Sequence, residues 1–344
     1  MSFDWLAQVV EQSKPLAGYR YPLLCFGVAL LASWVLTPLV RKLAIEKGAV
    51  DDPKRDDRRI HKEPLPRWGG LAIYAGLVIA LLVILPFAYP YKPFPAYLLG
   101  VLVVGGILVV AGALDDLYQY SAKVQLLLLL GAGVAVQFAF DGVGRIQINS
   151  LGIPLVDNQF ISLKEQWIAI PLTAIYIFVI TKTMDTIDGV DGLAAGIATI
   201  SASTLCVIGT YGGQPRVALI AAAVAGAALG FLRHNYNPAK IIMGTGGAYI
   251  LGFTLSCLSI VGAMKTAAAV ALIIPILVFG VPVFDAFFVM TRRAIAGVPL
   301  TQADKRHVHH QLLSRGLNQR QTVWVLYSVA AVLCAALLIL VVKR

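Results

Sequence analysis

Residues 167–211 read WIAIPLTAIYIFVITKTMDTIDGVDGLAAGIATISASTLCVIGTY: two apolar runs separated by an acidic stretch, TKTMDTIDGVDG at 181–192. A helix of about 20 residues crosses the hydrocarbon core of a bilayer. Each run approaches that length, so Asp185, Asp188 and Asp191 sit at a membrane edge. The same pattern recurs along the chain. Apolar stretches bounded by turn or charge clusters predict spans at 22–40, 70–90, 96–114, 122–140, 167–182, 193–211, 216–233, 247–264, 267–290 and 322–342. Hydrophobic residues make up 58% of the 344, charged ones only 13%, and mean hydropathy is +0.79. An average soluble domain carries roughly 25% charged residues. The expected fold is therefore an all-α polytopic integral membrane protein with about ten transmembrane helices, a single domain over 22–344 preceded by an outer segment over 1–21.

Charge placement sets the expected orientation. Of the Lys and Arg that make the net charge +10, nine fall in 41–69 and six in 291–321, whereas 86–95 has one, 141–166 two and 212–215 none. Because short cytoplasmic loops collect Lys and Arg, 41–69, 115–123, 182–192, 233–246 and 291–321 are expected inside and both termini outside. The same asymmetry accounts for the positive charge without nucleic acid, since no basic and aromatic residues interleave on a soluble surface. Residues 1–21 lack a short apolar core followed by a small-residue cleavage site, which argues against a cleaved signal peptide. Cys25, Cys206, Cys257 and Cys334 all fall inside predicted spans without metal-ligand spacing and read as packing residues. In the outer loop, RIQINSLGIPL alternates around a Gly-Pro turn and predicts a small β-hairpin.

The unusual polar residues share the inner face. GALDDLYQYSAK places Asp115 and Asp116 at the end of the third span; adjacent acids there also occur as hydrated boundary residues. Asp185, Asp188 and Asp191 recur every three residues, on neighbouring sectors of a helical face if the helix continues. Gly189 and Gly192 argue against its continuing. Three carboxylates this close repel unless a cation or hydrogen-bond donors balance them, which points to a divalent metal or a basic ligand, or else to a Gly-broken hydrated loop. RHVHH offers His307, His309 and His310 beside Arg306, with neither a Cys nor the spacing of a structural zinc site. Arg and His donors suit phosphate or sugar oxygens, or simply a solvated basic loop. PAKIIMGTGGA brings glycines to a helix start, where backbone N–H groups can approach phosphate; glycine is equally common at membrane-helix contacts.

Six stretches in order, PLPRWGG (64–70), LDDLYQYSAK (114–123), DTIDGVDGLAAG (185–196), FLRHNYNPAKIIMG (231–244), PVFDAFFVMTRR (282–293) and ADKRHVHHQLLSRG (303–316), resemble the motifs of the polyprenyl-phosphate N-acetylhexosamine-1-phosphate transferases. That family also includes the phospho-MurNAc-pentapeptide transferase of peptidoglycan synthesis. The resemblance implies transfer of a sugar-1-phosphate from a UDP-N-acetylhexosamine to undecaprenyl phosphate in the bacterial cytoplasmic membrane, releasing UMP and using Mg2+ or Mn2+. It further implies that Asp115 and Asp116 activate or orient the lipid phosphate and that Asp188 and Asp191 serve catalysis or nucleotide-sugar binding. Lys123, Asn235, Arg306, His307, His309 and His310 fall with the substrate-binding residues, and a homodimer is expected by the same analogy. The HxHH form is closer to the GlcNAc-1-phosphate branch than to the peptidoglycan branch.

Two departures stand out. Where the family usually reads NAxN, this chain has Lys182, Thr183, Met184 and Asp185; where it reads MGDxGS, this chain has Met243, Gly244, Thr245, Gly246, Gly247 and Ala248. The family's second Asn and its Asp help hold magnesium. The replacements suggest that the carboxylate has changed places, with Asp185 the hard anionic ligand and the Thr245 hydroxyl or a water the other. Lys182 adds a cation able to pair with an acid or a substrate phosphate. The competing readings are a catalytically impaired homologue acting as a scaffold, and a secondary transporter, whose acids would lie nearer mid-membrane.

Overall fold

The structure is a computed structural model describing residues 18–52, 63–90, 94–140, 142, 144–152, 160–163, 165–263, 278–295 and 307–342, the side chains of 150–152, 160–162, 263, 290 and 294 excepted. The expected outer segment 1–21 lies almost wholly outside them, as do Arg306 and much of the expected span at 267–290.

The chain is helical, as its hydropathy requires. In order come α1 (Arg20–Glu46), β1 (Val50–Asp51), β2 (Leu65–Pro66), α2 (Gly69–Ala88), α3 (Ala96–Tyr118), α4 (Ala122–Ala135), a 3-10 turn (Val136–Phe138), β3 (Ser150–Gly152), β4 (Phe160–Ser162), α5 (Gln166–Ile187), α6 (Leu193–Tyr211), α7 (Pro215–Asn235), α8 (Gly244–Ala263), α9 (Gly280–Ile295), α10 (Val308–Ser314) and α11 (Gln319–Val342). Eight of the helices, α1, α2, α3, α5, α6, α7, α8 and α11, are long and apolar enough to cross a membrane; Ala122–Phe138 is apolar but shorter. The protein is a multi-pass membrane protein of all-α class. A hairpin forms within 141–166, as expected, with antiparallel register Ser150↔Ser162, Leu151↔Ile161 and Gly152↔Phe160. A second short pair, Val50↔Pro66 and Asp51↔Leu65, was not apparent from the sequence.

α8 is the central helix, buried along its length and packed on α2, α3, α5, α6 and α7. α1 lies against α7 and α2, and α11 against α6. Large apolar side chains such as Leu23, Leu82, Leu127 and Val332 remain on the outside, where lipid replaces water as solvent. With no gain from moving apolar surface out of lipid into the bundle, helix contact depends on close packing of small residues. The ladder of Ala and Gly in α7 meets that need, as does the crossing of α3 with α8. A Cβ on Gly112 would run into the backbone of Gly246, and one on Gly70 into Gly247. Buried hydroxyls return their protons to their own helices: Thr37 to Ser33 O, Thr173 to Ala169 O and Thr181 to Ile177 O.

The α3–α8 contact positions the site, because it delivers the end of α3 to the first turn of α8. Gly112→Val is expected to lower the thermal unfolding midpoint in detergent, by an overpacking cost of about 1–3 kcal/mol. Gly131→Val is the control, since nothing lies within 4 Å of a Cβ there, and it should leave the midpoint unchanged.

Candidate active site

At the end of α3 both acids are buried, Asp115 at 6% and Asp116 at 7% exposure. Asp115 Oδ1 accepts from the Tyr120 N–H at 2.7 Å, and the Gln125 amide nitrogen reaches its two oxygens at 3.3 and 3.1 Å. Asp116 Oδ1 accepts from the Thr245 backbone N–H at 3.1 Å and lies 3.2 Å from Arg67 Nε. Its Oδ2 is buried, faces Gly244 and has no hydrogen-bond partner among the described residues. Arg67 also reaches Asp51 on β1 at 3.6 Å. Burial opposes its charge, but Asp116 and Asp51, with Asp188 and Asp185, raise its pKa above the ordinary guanidinium value.

Arg67 is held by a strap of backbone bonds. Its N–H donates to Ala49 O, the next two glycine N–H groups donate to Ile242 O and Met243 O, and the Ile242 N–H donates back to Pro66 O. Trp68 adopts the left-handed conformation at φ 82°, unusual for a bulky residue, while its indole N–H donates to Ala113 O at 2.9 Å.

α5 stays helical through Ile187, with Asp188 as its C-cap, so Asp185 projects from the helix and Asp191 from the turn that follows. Lys182 Nζ donates to Asp185 Oδ2 at 2.7 Å and to Gln125 Oε1 at 2.9 Å. Asp191 Oδ2 accepts from the Asn237 amide at 2.9 Å and the Ala239 N–H at 3.1 Å. Gly192, at φ 82°, donates its N–H to Asn235 Oδ1 and receives the Tyr327 hydroxyl on its carbonyl. Asp188 is half-buried and has no hydrogen-bonding partner among the described residues. Burial first, then the Asp185 carboxylate, push its pKa well above the usual carboxylate range; Arg67 offsets part of this, while Asp116 and Asp191 add to it.

The histidines close the site from the other end of the chain. Asp285 on α9 accepts from the Val308 N–H at 2.7 Å with Oδ1, and its Oδ2 lies 2.8 Å from His307 Nδ1, fixing the start of α10. The His307 and His309 rings stack 5.7 Å apart, and His310 lies 4.4 Å from His309. A Cβ on Gly189 would sit 3.1 Å from His309 Nε2, so the ring rests on the DGVDG turn. Burial, with His310 beside it, pushes the His309 pKa down to about 3.

Most of the expected site residues therefore meet at one end of the bundle: Asp115, Asp116, Asp185, Asp188, Asp191, Thr245 and the three histidines. Lys123 is exposed on the first turn of α4. Asn235 is buried and spends its amide on Gly192 N–H and Ile241 O, a positioning role for the acidic turn. Thr245 meets Asp116 and Asp185 meets Lys182. Among the described residues no three His, Cys, Asp or Glu side chains form a ready-made metal ligand set. Arg67, Gln125 and Asp285 were given no role from sequence. Arg67 and Asp285 lie in quoted motifs, PLPRWGG and PVFDAFFVMTRR, which was the available signal; Gln125 had none.

A polytopic bundle that gathers acids, cations and imidazoles at one end is the architecture of a membrane-embedded transferase acting on charged groups. The chain belongs to glycosyl transferase family 4, whose sequence profile matches residues 98–263. A relative from Bacillus subtilis (strain 168), described as a probable undecaprenyl-phosphate N-acetylglucosaminyl 1-phosphate transferase, is 37% identical over 92% of this chain and 84% of its own length. The decaprenyl-phosphate N-acetylglucosaminephosphotransferase of Mycolicibacterium smegmatis is 33% identical over 87% of this chain and 77% of its own. The undecaprenyl-phosphate alpha-N-acetylglucosaminyl 1-phosphate transferase of Escherichia coli (strain K12) is 26% identical over 92% and 83%.

His309 makes the folded state pH-dependent with a definite sign. Its folded pKa is depressed to about 3 against an ordinary value near 6.5, so the stability of the neutral buried ring is present above about pH 6.5 and is lost as pH falls towards 3. Each unit below 6.5 is expected to cost about 1.4 kcal/mol. Thermal midpoints from pH 8 to pH 5 should fall less in His309→Gln than in the unsubstituted protein; equal falls would assign the loss to other groups.

Proposed function

We propose that the chain transfers N-acetylglucosamine 1-phosphate from UDP-N-acetylglucosamine to undecaprenyl phosphate. A lipid phosphate oxygen bonds to the β-phosphorus of the donor, the bond from that phosphorus to the bridging oxygen breaks, and UMP leaves with the electron pair. The observation that carries this reading is the seating of His309 on the Gly189 turn beside Asp188, which brings the HxHH and DGxDG motifs together at the buried acids. The names of the relatives supply the substrates. Acids at one end of the bundle, not at its middle, do not favour a transporter.

The excess of Lys and Arg in alternate loops supports an orientation with this end of the bundle facing the cytoplasm of a bacterial cytoplasmic membrane, about ten spans and both termini outside. In that setting Asp116, held by Arg67 and Thr245, and Asp115, held by Gln125, flank the lipid phosphate, while the histidines supply donors to the nucleotide sugar. The two cations ion-paired to the acids, Arg67 and Lys182, reduce repulsion against incoming phosphates.

Magnesium, or manganese, fits the donor set by charge. Five carboxylates gather here, Asp188 lacks a hydrogen-bonding partner among the described residues, and Asp116 Oδ2 is buried without one. Asp188 and Asp185 would hold the ion, with the Thr245 hydroxyl or water completing the set; Asp185 keeps Oδ1 for this while Oδ2 stays on Lys182. When bound, the metal neutralises diphosphate charge and lowers the barrier to phosphoryl transfer.

UMP release by purified protein in detergent, with undecaprenyl phosphate, UDP-N-acetylglucosamine and magnesium, is expected to require all three components. No release with this donor, with UDP-N-acetylgalactosamine or with UDP-MurNAc-pentapeptide would favour an inactive homologue. Asp185→Asn is expected to abolish magnesium-dependent release, and unchanged activity would remove Asp185 from the metal site.

A further inference from the structure

Lys182 lies near the end of α5, where its ammonium donates to Asp185 Oδ2 on its own helix and to Gln125 Oε1 on α4. An ammonium has three donors. Two are placed and the third has no acceptor among the described residues. The side chain is 38% exposed, so the head group is open to whatever occupies the site. Gln125 is itself anchored, because its amide nitrogen bridges both oxygens of Asp115. The chain Asp115–Gln125–Lys182–Asp185 thus ties α3, α4 and α5 together around one ammonium.

A counter-ion for Asp185 alone would not need this. Partly exposed ion pairs on one helix contribute little, and a second, neutral acceptor on another helix adds direction more than strength. The surroundings also call for a donor. Asp188 and Asp185 repel each other and would repel an incoming phosphate, and Arg67 and Lys182 are the cations seen ion-paired to Asp116 and Asp185.

We propose that Lys182 binds a substrate phosphate oxygen through its third donor, with Gln125 and Asp185 as positioning residues. The proposal rests on the transferase reading above and deepens it. A phosphate oxygen here belongs either to the nucleoside diphosphate or to the lipid phosphate, and the test separates them.

Lys182→Gln and Lys182→Arg are prepared in the full chain. Equilibrium binding of UDP at fixed magnesium is measured without turnover, and KM for undecaprenyl phosphate is measured apart from kcat. Loss of a charge-assisted hydrogen bond is expected to weaken one of the two by about ten- to a hundredfold in Lys182→Gln, with most of the loss recovered in Lys182→Arg. A loss in UDP binding assigns the contact to the nucleotide; a raised lipid KM with UDP binding intact assigns it to the lipid. A lowered thermal midpoint with both quantities unchanged would overturn the proposal and leave Lys182 a counter-ion. Should Lys182→Gln fail to fold, Gln125→Leu is expected to weaken the same arm, and no change in either would overturn the proposal equally. A chain that binds UDP but releases no UMP would defeat the transferase reading while the UDP arm still tests Lys182.

Discussion

Five carboxylates, Asp115, Asp116, Asp185, Asp188 and Asp191, meet at one end of a membrane helix bundle, where Arg67 is ion-paired to Asp116 and Lys182 to Asp185. Buried charge of one sign is costly, and the cost falls unevenly here. Asp115 and Asp191 are met by neutral donors from backbone and amide groups. Asp116 and Asp185 have Arg67 and Lys182. Asp188 has no hydrogen-bonding partner among the described residues, and burial first, then the neighbouring carboxylates, raise its pKa well above the usual carboxylate range, with Arg67 offsetting part. Such a site gains from a cation and from donors that arrive with a substrate or stand ready for one.

The fold serves that end. Glycines at the α3–α8 crossing let backbones touch, so the Thr245 N–H reaches Asp116. The strap at 65–70 fixes Arg67 through backbone bonds to Ala49, Ile242 and Met243 and through the Trp68 indole on Ala113 O. The NPA turn after α7 clasps Asp191, and α11 supplies Tyr327 to Gly192, so the acidic turn is rigid from both sides. Pre-organisation of this kind is what phosphoryl transfer asks of a protein, since the chemistry depends mainly on placement and electrostatics.

Much of this was legible in the sequence. Hydropathy located eight of the ten expected spans as helices long and apolar enough to cross, because lipid imposes one rule on every residue of a crossing helix. Their ends were less visible. α5 runs to Ile187 instead of 182, since Lys182 and Asp185 pair within the helix and need not leave it; α1 runs to Glu46 and carries Arg41, whose long stem reaches Lys240 O. Acids, histidines and glycines announced themselves by type and spacing. Their partners did not. Arg67 meets Asp116 across nearly fifty residues of chain, and Gln125 is an ordinary glutamine until the fold brings Lys182 to it. Asn235, grouped with the substrate-binding residues by resemblance, holds the Gly192 N–H and Ile241 O, two partners that only the fold brings to it.

The central claim is that the protein's own cations offset negative charge at Asp188 only in part, which leaves room for a bound cation. Its most direct test is binding of Mn2+ to the substrate-free protein in detergent, followed by electron paramagnetic resonance, for the unsubstituted chain and Asp188→Asn. The account predicts saturable binding that is lost or greatly weakened in the variant. Absence of binding in the unsubstituted chain, or equal binding in both, would contradict it.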